Sequence, residues 1–177
     1  TDAGVEGFDI NISFGLYAPK GTPKPVLDQL TSALQKSVTD PEVRQRLEAM
    51  AGPTVRLLGR LPEDQVNAWL GRCRAYVYAG LEDFGIAPVE AMASGAPVIG
   101  LGQGGLLDSV RCISSGCEQP TGLLFPEQSL PALVAALDHF EQQRLWTQLP
   151  AASLRSWAER FSPQCFRERT QAVVEQA

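Results

Sequence analysis

Residues 75–100 read AYVYAGLEDFGIAPVEAMASGAPVIG, and the order of signals in this stretch decides the fold class. Ala75 to Tyr78 reads as a short strand, Gly85 to Ala93 as a helix and Pro97 to Gly100 as a second strand. Strand, helix and strand in immediate succession are the mark of an α/β domain with a mostly parallel sheet.

The same alternation runs outward in both directions. Upstream, Ile10, Ile12, Phe14, Leu16 and Ala18 fall on one face at period two, so Ile10 to Ala18 is expected to be the first strand. Thr22 then offers an N-cap and Pro23 a first helical position, where its missing N–H costs nothing. Val26, Leu27, Leu30, Ala33, Leu34 and Val38 form one helical stripe. Asp40-Pro41-Glu42 repeats the start signal for a second helix ending near Gly52-Pro53. A strand at Val55 to Leu58, a helix at Glu63 to Cys73 and a last strand at Gly122 to Phe125 complete the pattern. The C-terminal part is helical, with stripes Leu130, Leu133, Val134, Leu137, Phe140 and Phe166, Thr170, Val173, Val174, the second helix capped by Ser162-Pro163. The expectation is a single three-layer, doubly wound α/β domain. Its five-stranded, mostly parallel sheet would have the flavodoxin-like order 2-1-3-4-5, related to the Rossmann arrangement.

Composition narrows the function. The chain has 177 residues, with 20 acidic against 15 basic side chains, a net charge of −5 and 44% apolar residues. A domain of this size buries about 70% of the surface its unfolded chain exposes, so disulfides or metals are not needed for stability. With no lysine- or arginine-rich run, nucleic acid and anionic membranes are excluded as expected partners. No apolar stretch approaches the ~20 residues of a membrane span, and no targeting signal opens the chain, so a soluble protein is expected. Cys73, Cys112, Cys117 and Cys165 are too unevenly spaced for a disulfide framework and read as reduced thiols. No metal site and no cofactor are expected.

The chemistry concentrates at the turn between Ala75–Tyr78 and the following helix. That turn lies at the carboxyl edge of a parallel sheet, where open α/β domains bind ligands. Phe84, Gly85 and Ile86 would present free backbone N–H groups at a helix N-terminus, which attracts phosphate. Gly85 lets a ligand approach the backbone closely, while Glu82 in the loop and Glu90 in the helix can accept hydrogen bonds from sugar hydroxyls. A nucleotide-sugar fits that layout; the plain alternative is two solvated acids at a helix start, one stabilised by the dipole. Two weaker signals count for less. Gly100-Leu101-Gly102-Gln103-Gly104-Gly105 has the glycine spacing of a dinucleotide fingerprint but follows the fourth strand rather than the first. His139 reads as a surface helix residue, and Trp69, Trp146 and Trp157 read as packing.

From Val55 onward the chain resembles the nucleotide-sugar-binding C-terminal domain of the family 4 retaining glycosyltransferases. The likeness rests on Val55-Arg56-Leu57-Leu58-Gly59-Arg60-Leu61, Glu82-Asp83-Phe84-Gly85-Ile86, Val89-Glu90-Ala91-Met92-Ala93-Ser94-Gly95, Pro97-Val98-Ile99, Gly104-Gly105 and Thr121-Gly122-Leu123-Leu124. The resemblance implies that Glu82 contacts the donor sugar and Glu90 the ribose. It also implies that the amides of Phe84 to Ile86 face the sugar-phosphate and that the loop at Gly59 and Arg60 lies near the base. The chain departs from the family at Ala79-Gly80, usually proline and serine, and at Asp108, usually glutamate. The family's diphosphate-binding basic residues belong to upstream units without a match here, leaving Arg56, Arg60 and Arg72 as candidates.

Residues 1–52 resemble a different family, the Bug-type substrate-binding proteins of tripartite tricarboxylate transporters. The motifs are Gly7-Phe8-Asp9, Phe14-Gly15-Leu16-Tyr17-Ala18-Pro19, Gly21-Thr22-Pro23-Lys24-Pro25-Val26 and Asp40-Pro41-Glu42-Val43-Arg44. Two families in one domain imply a recombined, engineered chimera, 1–52 joined to 53–177, without a complete catalytic apparatus. The alternative is a nucleotide-diphosphate-sugar binding module or a retaining glycosyltransferase domain. The expected partner is a nucleotide-diphosphate sugar, weakly bound, and the expected state is a monomer or homodimer.

Overall fold

The structure is a computed structural model that describes residues 40–175 together with 23–26, 28, 29 and 32. The described residues fall into two compact units that divide in sequence between Pro62 and Glu63.

In the smaller unit, residues 24–26, 28, 29 and 32 are helical, and Lys24 Nζ pairs with Asp28 Oδ1 at 2.9 Å across one exposed turn. Helix α1, Pro41–Met50, begins where Asp40 marks it. The Asp40 carboxylate accepts from the amides of Glu42 at 2.8 Å and Val43 at 3.3 Å, satisfying two donors that a helix start leaves orphaned. The strand expected at Val55 to Leu58 is not formed. These residues are irregular and exposed, and no described segment offers them a ladder. A strand gains its backbone hydrogen bonds only from a neighbour, so apolar residues alone do not make one. The strand expected at Ile10 to Ala18 lies outside the described residues.

The larger unit runs α2 (Glu63–Leu70), β1 (Tyr76–Tyr78), α3 (Ile86–Ser94), β2 (Val98–Leu101) and α4 (Leu106–Ser109). A 3-10 turn (Ile113–Ser115), β3 (Gly122–Phe125), α5 (Leu130–Gln142) and a second 3-10 turn (Leu145–Gln148) follow. The chain continues through α6 (Ala151–Ala158), a third 3-10 turn (Glu159–Phe161) and α7 (Pro163–Glu175). Among the described residues the sheet has three strands in the order β1-β2-β3, all parallel, where five were expected. They correspond to the last three strands of the expected 2-1-3-4-5 order. No helix among the described residues is long and apolar enough to cross a membrane.

Alternation along the strands builds two cores. Tyr76, Tyr78 and Val98 pack with Leu70, Ala91, Met92, Leu106, Leu154 and Ala158. Val77, Ile99, Leu101, Leu123 and Phe125 pack with Ala136, Phe140, Leu145 and Leu149. Successive residues of a strand point to opposite faces, so these clusters are the two interfaces of a three-layer α/β/α sandwich. Each fully buried side chain of this size, such as Met92 or Phe140, contributes about 1.5–3 kcal/mol. At the strand ends opposite the candidate site, Arg74 Nη1 bonds both carboxylate oxygens of Glu141 at 2.8 and 3.1 Å while its guanidinium lies 4.6 Å over the Trp146 ring. The expected stripe on α5 is narrower than its spacing suggests, because Leu130 and Val134 are exposed. On α7, Ser162 Oγ caps the Cys165 amide at 3.3 Å, as its Ser-Pro start implies, but Phe166, Val173 and Val174 are exposed.

Helix α3 ends where Gly95 adopts φ 97° and ψ 13°. Its N–H bonds Met92 O and that of Ala96 bonds Ala91 O, both at 2.9 Å, the paired closure of a Schellman motif. A Cβ at Gly95 would also stand 2.8 Å from Arg155 Nη2, and Arg155 itself donates to Ser94 O at 3.2 Å. Gly95→Ala is therefore expected to lower stability by about 1–2 kcal/mol through the left-handed backbone alone. Urea unfolding of the variant checks this; a midpoint equal to that of the parent would refute it.

Candidate functional site

Three parallel strands deliver three loops to the same edge of the sheet, and the loops are tied to one another. Gly102 N–H bonds Phe125 O at 2.8 Å, Gln103 Nε2 bonds Pro126 O at 3.2 Å and Gln128 Nε2 bonds Ala79 O at 3.1 Å. Between the loops after β1 and β2 the contact is backbone on backbone, with Gly105 N–H donating to Glu82 O at 2.7 Å. A Cβ at Gly105 would overlap Asp83 O and the Phe84 Cα, so only glycine permits this approach.

Within that frame the loop residues take distinct positions. Glu82 is half-buried and accepts a hydrogen bond on Oε1 from the Tyr78 hydroxyl. Gly80 leaves room for that tyrosine: a Cβ there would stand 2.9 Å from Tyr78 Oη. The departure from proline and serine at Ala79-Gly80 thus accompanies a tyrosine that orients Glu82. Gly85 is buried at φ 82° and ψ 66° and forms the N-cap of α3, a conformation L side chains avoid. Phe84 and Ile86 flank it, 44% and 67% exposed. The amides of Phe84, Gly85 and Ile86 have no acceptor among the described residues, and Pro88 contributes no N–H to the first turn. Glu90 stands exposed one turn into the same helix.

The arrangement can therefore offer amide dipoles to an anion, with the oriented carboxylate of Glu82 in the same loop and Glu90 exposed one turn further along the helix. Gly59, with φ 66°, and Arg60 belong to the smaller unit, as does Arg56. Arg72 is committed elsewhere, its Nε donating to Ala68 O at 3.0 Å and its guanidinium 5.4 Å over Trp69. The glycine loop from Gly100 to Gly105 leads only into the four-residue α4. His139 is exposed on the last turn of α5, as expected.

Sequence reasoning missed three side chains around the loop. Tyr78 looked like an ordinary strand residue, and the link to Glu82 appears only once the chain turns at Gly80. Phe161 carried no signal at all, yet its ring meets that of Phe84 edge-on at 5.6 Å. Trp157 packs against the core as expected, but it also stands 6.1 Å from Phe161 and donates its indole N–H to Ser109 O at 2.7 Å, a link its spacing does not reveal.

A family profile described as glycosyl transferases group 1 matches residues 29–156, beginning upstream of the boundary expected near Gly52-Pro53. A phosphatidyl-myo-inositol mannosyltransferase of Propionibacterium freudenreichii subsp. shermanii is 48% identical over 56 residues, 30% of this chain and 15% of that protein. A protein described as UPF0065 protein in tcbD-tcbE intergenic region, from Pseudomonas sp. strain P51, is 31% identical over 71 residues, 38% of this chain and 21% of that protein. The chain thus spans less than a quarter of the length of these curated relatives. Among solved structures, sucrose-phosphate synthase from Thermosynechococcus elongatus aligns with a TM-score of 0.63 at 21% identity, over 96% of this chain and 45% of that one. The catalytic domain of starch synthase IV from Arabidopsis thaliana, bound to ADP and acarbose, aligns at 0.57 and 18% identity, over 90% of this chain and 36% of that one. At these identities the likeness is one of fold.

The contact at Gly105 generates a prediction of its own. Gly105→Ala must push the two loops apart, at a cost of about 1–3 kcal/mol for overpacking. The loss is expected in the urea midpoint with the far-ultraviolet dichroism unchanged, and undiminished stability would show that the loops do not meet through these backbones.

Proposed function

The chain belongs to the glycosyl transferases group 1 family, and from that premise we propose that its larger unit is a donor-binding module for a nucleotide-diphosphate sugar. The observation that carries the proposal is the loop Glu82–Ile86: amides without an acceptor among the described residues, at the start of α3, between the carboxylates of Glu82 and Glu90. In this reading the amides of Phe84, Gly85 and Ile86 receive the sugar-phosphate. Glu82, held by Tyr78, accepts from a hydroxyl of the donor sugar, and Glu90 accepts from the ribose. Amide donors aimed at a phosphate also stabilise the negative charge that a departing diphosphate develops, which is the step a retaining transferase must assist. The binding is weak, because partial charges rather than full cations meet the diphosphate at this loop.

A second reading concerns origin rather than ligand. Residues 1–52 of a recombined chain would be drawn from another parent, a reading supported by the 31% identity over 71 residues to a protein of a different description and opposed by the glycosyl transferases profile, which already begins at residue 29.

Calorimetric titration with UDP, GDP and ADP sugars tests the site. Saturable binding to one of them is expected, weakened in Glu90→Ala by about tenfold to a hundredfold, the usual loss when a charged acceptor is removed. Heat with none of the donors, from a chain that unfolds cooperatively, would reduce the protein to a scaffold, and unchanged affinity in the variant would remove Glu90 from the site. Donor hydrolysis above background would extend the reading from binding to catalysis.

A further inference from the structure

The run from α6 through the 3-10 turn Glu159–Phe161 touches the candidate loop along two separate routes. The first is aromatic: Trp157 and Phe161 meet at 76° with centroids 6.1 Å apart, and Phe161 meets Phe84 at 70° and 5.6 Å. The second is polar. Trp157 Nε1 donates to Ser109 O at 2.7 Å, Ser109 Oγ donates to Gly105 O at 3.0 Å, and Gly105 N–H donates to Glu82 O at 2.7 Å. Both routes start at the same indole and end in the same loop, two residues apart, at Glu82 and Phe84.

The indole is itself fixed in place. Arg160 and Arg111 place their guanidinium carbons 4.4 and 5.0 Å from its ring centroid. Arg111 is in turn locked by its backbone, its N–H donating to Thr121 Oγ1 at 2.9 Å and its carbonyl accepting from Thr121 at 2.8 Å. The same run reaches the far end of α3, where Arg155 Nη2 donates to Ser94 O at 3.2 Å. One short stretch of chain therefore contacts both the loop that begins α3 and the carbonyl at its end. Phe84 needs such support, because it is 44% exposed beside a glycine in the left-handed region, and its backbone has no hydrogen-bond partner among the described residues.

We propose that Trp157 and Phe161 are positioning residues that brace the loop Glu82–Ile86 and set the direction of its free amides. The brace itself stands on the contacts above; its consequence for a ligand rests on the reading of the loop as a nucleotide-sugar site.

Amide hydrogen exchange in the free protein tests the brace without any ligand. Gly105 N–H reports the loop contact, and Gly102 N–H, bonded to Phe125 O at 2.8 Å, reports the neighbouring edge that the brace does not touch. Phe161→Ala cuts the aromatic route and Trp157→Phe cuts the polar one while keeping a ring. Each is expected to speed exchange at Gly105 by roughly tenfold relative to Gly102, and Trp146→Phe, in the opposite core, is expected to leave that ratio unchanged. Equal acceleration at Gly102 and Gly105 would mean that the aromatic residues only add stability, and an unchanged Gly105 would mean that they do not hold the loop; either result overturns the proposal. A nucleotide-sugar titration then reads the consequence: Phe161→Ala is expected to weaken binding about threefold to tenfold and Phe161→Tyr to restore it. If the parent protein binds no donor, the functional reading fails while the exchange ratio still decides the brace. If the parent binds and Phe161→Ala binds equally well, the brace fails and the site stands.

Discussion

Parallel pairing is the constraint from which the rest of this molecule follows. A strand that must run alongside its predecessor in the same direction has to return over one face of the sheet. Every loop that leaves a strand at its carboxyl end therefore emerges at one edge. In this chain β1, β2 and β3 bring Glu82, Gly105 and Gln128 to that edge, although more than forty residues separate the first from the last. The apolar runs Tyr76–Tyr78 and Val98–Leu101, buried throughout, do not themselves form a site. They oblige three polar loops to meet at one edge.

What the loops do there depends on how closely backbones can approach. The Gly105 amide reaches Glu82 O only because neither side chain nor Cβ stands between them. Gly85 turns the chain through the left-handed region so that α3 can start directly beneath the loop. The free amides are a by-product of that geometry: a helix start always leaves donors unpaired, and here α3 has no side-chain cap to satisfy them. Where Asp40 closes the start of α1 with its own carboxylate, Gly85 leaves the start of α3 open. The same local physics gives a capped helix in one place and uncapped amide donors in the other.

The strand-helix-strand order of residues 75–100 was legible because period and punctuation agreed there, with Gly85 and Gly95 marking the two ends of the helix. The candidate loop was legible for the same reason, since glycine before a helix and acids on either side are local facts. Val55 to Leu58 misled because an apolar run says nothing about whether a neighbour will pair with it, and the structure leaves those residues irregular. Val134 misled in a similar way: its spacing on α5 fits the stripe, but of this helix only Ala136 and Phe140 are buried. Tyr78, Trp157 and Phe161 were beyond sequence reading because their roles arise from contacts across 4 to 77 positions, from Tyr78–Glu82 to Phe84–Phe161, that no periodicity encodes.

The ties along the sheet edge are almost all neutral: glutamine amides on carbonyls, glycine on a glutamate carbonyl, and ring on ring. The described ion pairs of the smaller unit, Lys24 with Asp28 and Arg46 with Glu42, lie instead on exposed helix surface. Dissolved ions weaken the second kind of contact and scarcely touch the first, since screening acts on separated charges in water. Raising the ionic strength therefore weakens those exposed pairs and leaves the neutral ties of the sheet-edge loops largely unaffected. A phosphate received by amide dipoles at that edge would be held with a shallower dependence on salt than one clasped by lysines and arginines.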